Sequence, residues 1–136
     1  VKGRDNIIFG ASNALEGSSN SLIGSNNTVI GDVNSLLGDS NAVKGSQNTV
    51  AGNSNDILGA NNTAVGDLNK VNGSSSFLIG HQNTVNGNIN TVKGNFNEVN
   101  GQQNIILKDS NKVSGNANTI DGNANAAIGS NNAILG

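Results

Sequence analysis

His81 is the only histidine in this 136-residue chain, and cysteine and tyrosine are absent. Acid–base or nucleophilic catalysis needs a titratable group held beside a partner that tunes it. The stretch around His81, G-H-Q-N-T-V, supplies no such partner, so a solvated histidine is expected. The nine acids, Asp5, Glu16, Asp32, Asp39, Asp56, Asp67, Glu98, Asp109 and Asp121, read as scattered in phase. Calcium-binding rolls instead carry aspartate at one phase of a nonapeptide repeat. No metal, no cofactor and no small-molecule substrate are therefore expected, and an enzyme is not. The net charge of -2, with basic residues spread from Lys2 to Lys112, offers no footprint for nucleic acid or an anionic membrane. No apolar run approaches the roughly 20 residues of a membrane-spanning helix, so membrane insertion is not expected either.

The polar side chains that do recur are amides. In "GSNNTVIGDVNSLLGDSNAVKG", glycine stands at 24, 31, 38 and 45, and asparagine follows three residues after each of the first three. The whole chain from Gly3 divides without insertion into 19 units G-x-x-N-x-φ-x, where φ is Val, Ile, Leu or Ala. Lys108 replaces the glycine once and Ser76 the asparagine once, and both are expected to be tolerated irregularities. A seven-residue period also describes coiled coils, but glycine costs about 1 kcal/mol in a helix interior. Helix is excluded by that cost repeated in every unit. Strict phasing of the aliphatic position equally argues against a disordered low-complexity linker.

Within N-T-V-I-G, Asn27, Val29 and Gly31 alternate with Thr28 and Ile30, the period of a short strand with one face buried. The two residues after each glycine leave room only for a corner, where glycine supplies a positive φ or a close backbone approach. One heptad per turn encloses nothing, so two heptads make the smallest packed coil. An all-β parallel β-solenoid follows, with two-sheet coils of 14 residues and about 9.5 rungs spaced about 4.8 Å apart. Residues 1–136 form one repeat domain in this reading. Val1 and Lys2 fit the last two positions of a preceding unit, so a segment of a longer array is expected. The inward amides, Asn27, Asn34, Asn41, Asn48, Asn55 and Asn62 among them, are predicted to stack as hydrogen-bonded ladders, because a buried amide without partners is costly.

Function must then lie in the outward positions five and seven. Odd and even heptads form different faces. On the odd face, position five carries no charge and position seven is mostly aliphatic. Candidate interaction residues are Ser21, Ile23, Ser35, Leu37, Thr49, Ala51, Thr63, Val65, Phe77, Ile79, Ile105 and Leu107. Lys93 and Asp121 interrupt the stripe and would need solvent or an opposite charge. The even face carries Asp56, Lys70, Glu98 and Lys112 at position five. A long apolar stripe on a rod signals a partner.

N-x-V-x-G at heptad spacing over nearly the whole chain resembles the ryegrass-type ice-binding proteins. Segments such as N-S-L-I-G, N-S-L-L-G and N-A-A-I-G are also similar to the heads of trimeric autotransporter adhesins. Both resemblances imply a left-handed β-roll and an extracellular or cell-surface setting. Two partners are open: other chains of this kind, in a fibre, filament or adhesin stalk self-associating through the odd face, or ice, bound by the Ser/Thr–aliphatic rows Ser21–Ile23 to Thr63–Val65. A third reading is a passive spacer whose odd face another part of the chain covers. Asn26, Asn61 and Asn72 open N-x-S/T sequons and are possible glycosylation sites in a secreted chain.

Overall fold

The computed structural model describes residues 1–136. Nineteen three-residue strands recur every seven residues, from β1 (Ile7–Phe9) and β2 (Ala14–Glu16) to β18 (Ala126–Ile128) and β19 (Ala133–Leu135). The odd strands form one ten-stranded parallel sheet and the even strands a second of nine. Each strand pairs with the strand 14 residues on, without slippage: Leu22 lies on Leu36, and Leu36 on Val50. The two sheets face each other across a core of 17 aliphatic side chains, from Leu15 to Ala127, with Ile8 and Ile134 packed against its ends. No ring enters that core, and Phe9, Phe77 and Phe96 all lie at the surface.

Asparagine fills the rest of the interior as a satisfied ladder. The Asn34 Nδ2 donates to Asn20 Oδ1 at 3.0 Å and to Gly45 O at 2.8 Å. Its Oδ1 accepts the backbone N–H of Asn48 at 3.0 Å and the Asn48 Nδ2 at 3.1 Å. Both amide protons and both oxygen lone pairs are thereby used, all that the group possesses. No buried side-chain nitrogen or oxygen in the chain lacks a partner.

Glycine is required at the corner for two reasons. Gly24 has φ of 134°, and a Cβ placed on it would sit 2.0 Å from the carbonyl oxygen of Gly38 on the next rung. Less expected is the residue two places on. Every position-three residue, from Asp5 to Asn131, holds φ between 55° and 61°. Most are Ser, Asn, Gln, Asp or Ala, yet Val33, Leu68, Ile89 and Phe96 adopt the same left-handed conformation, which costs L-residues about 1–2 kcal/mol. The stacking overrides that preference. Corner N–H groups also bond rung to rung, as Asn26 does to Ala11 O at 3.0 Å, so no corner can relax alone.

The two irregular units are local faults. Ser76 keeps the backbone bond to Asn62 Oδ1 at 3.0 Å, and its hydroxyl accepts the Asn90 N–H at 3.2 Å. It cannot replace the amide's donation to its neighbour, so the side-chain ladder breaks for one rung. Lys108 takes φ of 74°, whereas every positive-φ glycine lies at 105° or above. One rung on, Gly122 alone among the glycines has no positive φ, and its N–H bond to Leu107 O stretches to 3.4 Å.

Two substitutions probe this arrangement. Val85 is fully buried, so Val85→Asp places a carboxylate among aliphatics and should cost on the order of 3 kcal/mol or more. Thermal unfolding followed by circular dichroism reads the loss, and an unchanged transition would refute the inward assignment. Ile89→Asn should do the opposite, stabilising by about 1 kcal/mol, because asparagine tolerates the left-handed corner that isoleucine resists.

Candidate functional site

The fold turns each outward position into a column running along the rod. Position two forms two corner columns of hydrogen-bond acceptors, one in the odd and one in the even units, that the sequence pattern did not reveal. The Asp32 Oδ1 accepts the Ser18 N–H at 2.7 Å, the Ser46 Oγ accepts the Asp32 N–H at 3.2 Å, and the Asp67 Oδ1 accepts the Asn53 N–H at 2.7 Å. His81 belongs to the even-unit column, after Asn53 and Asp67: its Nδ1 accepts the Asp67 N–H at 3.1 Å. It is an exposed corner residue, as expected, but one with a structural bond. Four of the nine acids, Asp32, Asp39, Asp67 and Asp109, thus share one phase and one role rather than being scattered. The available signal was the excess of Asp, Asn and Ser directly after glycine. No three acids, histidines or cysteines converge on one point.

Ser21, Ile23, Ser35, Leu37, Thr49, Ala51, Thr63 and Val65 all stand on the outer side of the odd sheet, in two columns. Strand pairing puts Ser21 beside Ser35, Ser35 beside Thr49 and Thr49 beside Thr63, and likewise Ile23, Leu37, Ala51 and Val65. The next rung brings Phe77 and Ile79 into the same columns. Thr91 and Lys93 follow, then Ile105 and Leu107. Asp121 was expected to need solvent or an opposite charge. It finds one in Lys108, the residue that replaces a corner glycine, at 3.1 Å. Lys93 is exposed and makes no ion pair.

The even sheet differs in kind. Its position-five column contains two ion pairs between adjacent rungs, Lys70 with Asp56 at 4.0 Å and Lys112 with Glu98 at 3.0 Å. Beside them, Asn72, Asn86 and Asn100 form an outer amide row in which Asn86 Nδ2 donates to Asn100 Oδ1 at 2.9 Å. The grooves on this face are shallow and open, one of them lined by Thr28, Ile30, Ala42, Lys44, Asp56 and Leu58 among others. Of the sequons, Asn26 and Asn61 are exposed at corners, whereas Asn72 is exposed on the even face itself.

The Lys112 ammonium, by its hydrogen bond and then its charge, holds the Glu98 carboxyl below the usual carboxylate range. A depressed folded-state pKa contributes stability above the unfolded value and loses it as pH falls through the folded one. Lys112→Ala should therefore raise the Glu98 pKa toward that of a free side chain. Carboxyl NMR titration of the two proteins checks this, and coincident curves would show the pair to be idle.

The family model described as the grass antifreeze beta roll matches residues 1–80 and, in a second overlapping match, residues 57–136, so that the two together take in the whole chain. No curated protein matches it at a significant level.

Proposed function

The chain belongs to the grass antifreeze beta-roll family, and from that premise we propose that it is a non-enzymatic ice-binding protein whose contact surface is the odd face between Ser21 and Val65. One observation carries the choice of face: four consecutive rungs place a hydroxyl column, Ser21, Ser35, Thr49 and Thr63, beside an aliphatic column, Ile23, Leu37, Ala51 and Val65, with no charge in either. The rungs repeat at about 4.8 Å, so the hydroxyls form an evenly spaced row along the rod. Hydroxyls both donate and accept, so they can hold water in either orientation. The methyl-bearing column offers water no partner and confines it to bonding with other water and with the hydroxyls. β-Branched threonine has few rotamers to lose when that layer orders, and the buried strand residues beneath keep the column from flexing. An ordered water layer of this kind can merge with a growing crystal. Once anchored, the protein forces the ice front to bulge between neighbouring molecules, which raises the free energy of further growth. Such a protein acts where extracellular ice forms, at or outside the cell surface.

The remainder of the odd face supports a second reading, self-association in a fibre or stalk. Phe77 is 38% exposed, Ile79 41% and Ile105 44%, bulky groups better suited to packing against protein than to an ordered water layer. Under that reading Ile79→Lys abolishes an oligomer; under ice binding it leaves the hydroxyl patch intact.

Ice recrystallisation inhibition and retention on ice test the proposal directly. Thr49→Lys should reduce inhibition by at least about tenfold, because a hydrated ammonium disrupts the centre of the patch, while circular dichroism stays unchanged. Thr28→Lys, on the even face, should leave inhibition as it was. Loss on the even face alone would refute the choice of face, and an inert native chain would refute ice binding.

A further inference from the structure

The even face carries a charge sequence that is its own complement when reversed. Along position five, from β8 (Asp56–Leu58) through β10 (Lys70–Asn72), β12 (Thr84–Asn86) and β14 (Glu98–Asn100) to β16 (Lys112–Ser114), the residues are Asp56, Lys70, Thr84, Glu98 and Lys112. The signs run minus, plus, neutral, minus, plus. We propose that this face is a dimer interface for a second copy of the chain, lying antiparallel about a two-fold axis through Thr84.

A two-fold axis in the interface plane, along the strand direction, keeps each column opposite itself and reverses the order of the rungs. Asp56 then meets Lys112 of the second copy, Lys70 meets Glu98, and each contact occurs twice by symmetry, as an isologous interface requires. Within one chain the same four charges form ion pairs only with a neighbour on the next rung, and the side chains remain largely exposed. Position seven is equally consistent: Asn72 faces Asn100 of the second copy, and Asn86 faces its own equivalent on the axis. These are amides able to donate and accept across a contact. At the rim Lys44 meets the exposed Ile128, where its stem can cover apolar surface while the ammonium reaches solvent.

Charge also excludes the competing arrangements. A slip of one rung in one direction sets Lys70 against Lys112, and in the other Asp56 against Glu98, like charges in both cases. A parallel two-fold arrangement puts position five against position seven, so Lys70 faces Asn72 and no ion pair forms. Antiparallel pairing centred on Thr84 spans the seven strands from β6 (Ala42–Lys44) to β18. At about 4.8 Å per strand and about 10 Å across, that is on the order of 340 Å² per copy, below the roughly 800 Å² of a stable interface. Complementarity rather than area defines the dimer, so it is weak and salt-sensitive. The interface requires Asn72 to be free of glycan. It leaves the two odd faces pointing outward and does not depend on what they bind.

Sedimentation of the unglycosylated chain at concentrations up to about 1 mM, at low and at physiological salt, tests the proposal. A monomer–dimer equilibrium is expected at low salt, with a dissociation constant at least about tenfold weaker at the higher ionic strength. Lys70→Glu and Glu98→Lys, each alone, should be folded monomers, because each sets like charges opposite one another across the axis. Mixed in equal amounts, they should dimerise again: the carboxylate introduced by Lys70→Glu in one variant then meets the ammonium introduced by Glu98→Lys in the other, and the native Glu98 meets the native Lys70. Ile79→Lys, on the odd face, should dimerise as the native chain does. The proposal is overturned if the native chain stays monomeric at low salt, if either single variant associates like the native chain, if the mixture fails to recover dimer, or if Ile79→Lys abolishes it. Loss of ice activity in Thr49→Lys with dimerisation intact separates this interface from the proposed ice face.

Discussion

The buried asparagine amide is the interaction on which the structure depends. Most ladder amides, like that of Asn34, join three places in the chain: their own corner, the amide 14 residues before, and the corner carbonyl 11 residues after. A one-residue insertion would break that arithmetic along the rod and leave polar groups stranded among the aliphatic side chains of the core. The cost of a stranded amide, about 1–3 kcal/mol for a single group, is large for a fold whose apolar filling is one aliphatic side chain per strand. The absence of any insertion over 19 units is therefore a consequence of the hydrogen bonding and not merely of repetition. Ser76 shows the margin: a hydroxyl can accept the backbone bond but cannot reproduce both donations, and the damage stops at one rung because the backbone pairing on either side continues.

Much of this was legible in the sequence because the relevant residues sit at fixed phases with no alternative geometry. Glycine, asparagine and the aliphatic residue occupy one position each, and strand periodicity assigns their side to within a residue. Corner conformation was not legible. Ile89 and Phe96 hold a left-handed φ that their own preferences oppose, so a propensity argument points the wrong way at those positions. The conformation is imposed by rungs above and below, which only the stacked structure supplies. Asp67 and His81 were hidden for a related reason: as single residues they suggest chemistry, whereas in a column they are successive acceptors for successive backbone N–H groups. Lys108 looked like a lapse in the pattern. Its partner, Asp121, is 13 residues away and becomes a neighbour only once the coil closes.

The separation of inward from outward positions also explains why the candidate site was only half readable. Ser21, Thr49 and Val65 contribute little to the core beneath them, so the fold places few demands on their identity. Columns could be written down from the period alone, including the uncharged odd one and the charged even one. What the period could not convey is which columns act together, because that depends on the pairing of neighbouring strands and on side-chain contacts such as those between Asn86 and Asn100.

A solenoid with two sheets has two faces whose demands differ. A surface that orders water must be uniform along several rungs, since one large or hydrated side chain breaks the layer. Phe77 therefore ends the hydroxyl column beginning at Ser21, and Lys93 prevents its companion column from resuming cleanly. A surface that meets another protein needs complementarity instead of uniformity, and an alternation of charge fixes register where area is too small to do so. The even face has alternation and the first four rungs of the odd patch have uniformity. The same backbone, repeated without change, thus presents two surfaces of different chemistry because the asparagine and glycine lattice leaves both outer columns free to vary independently.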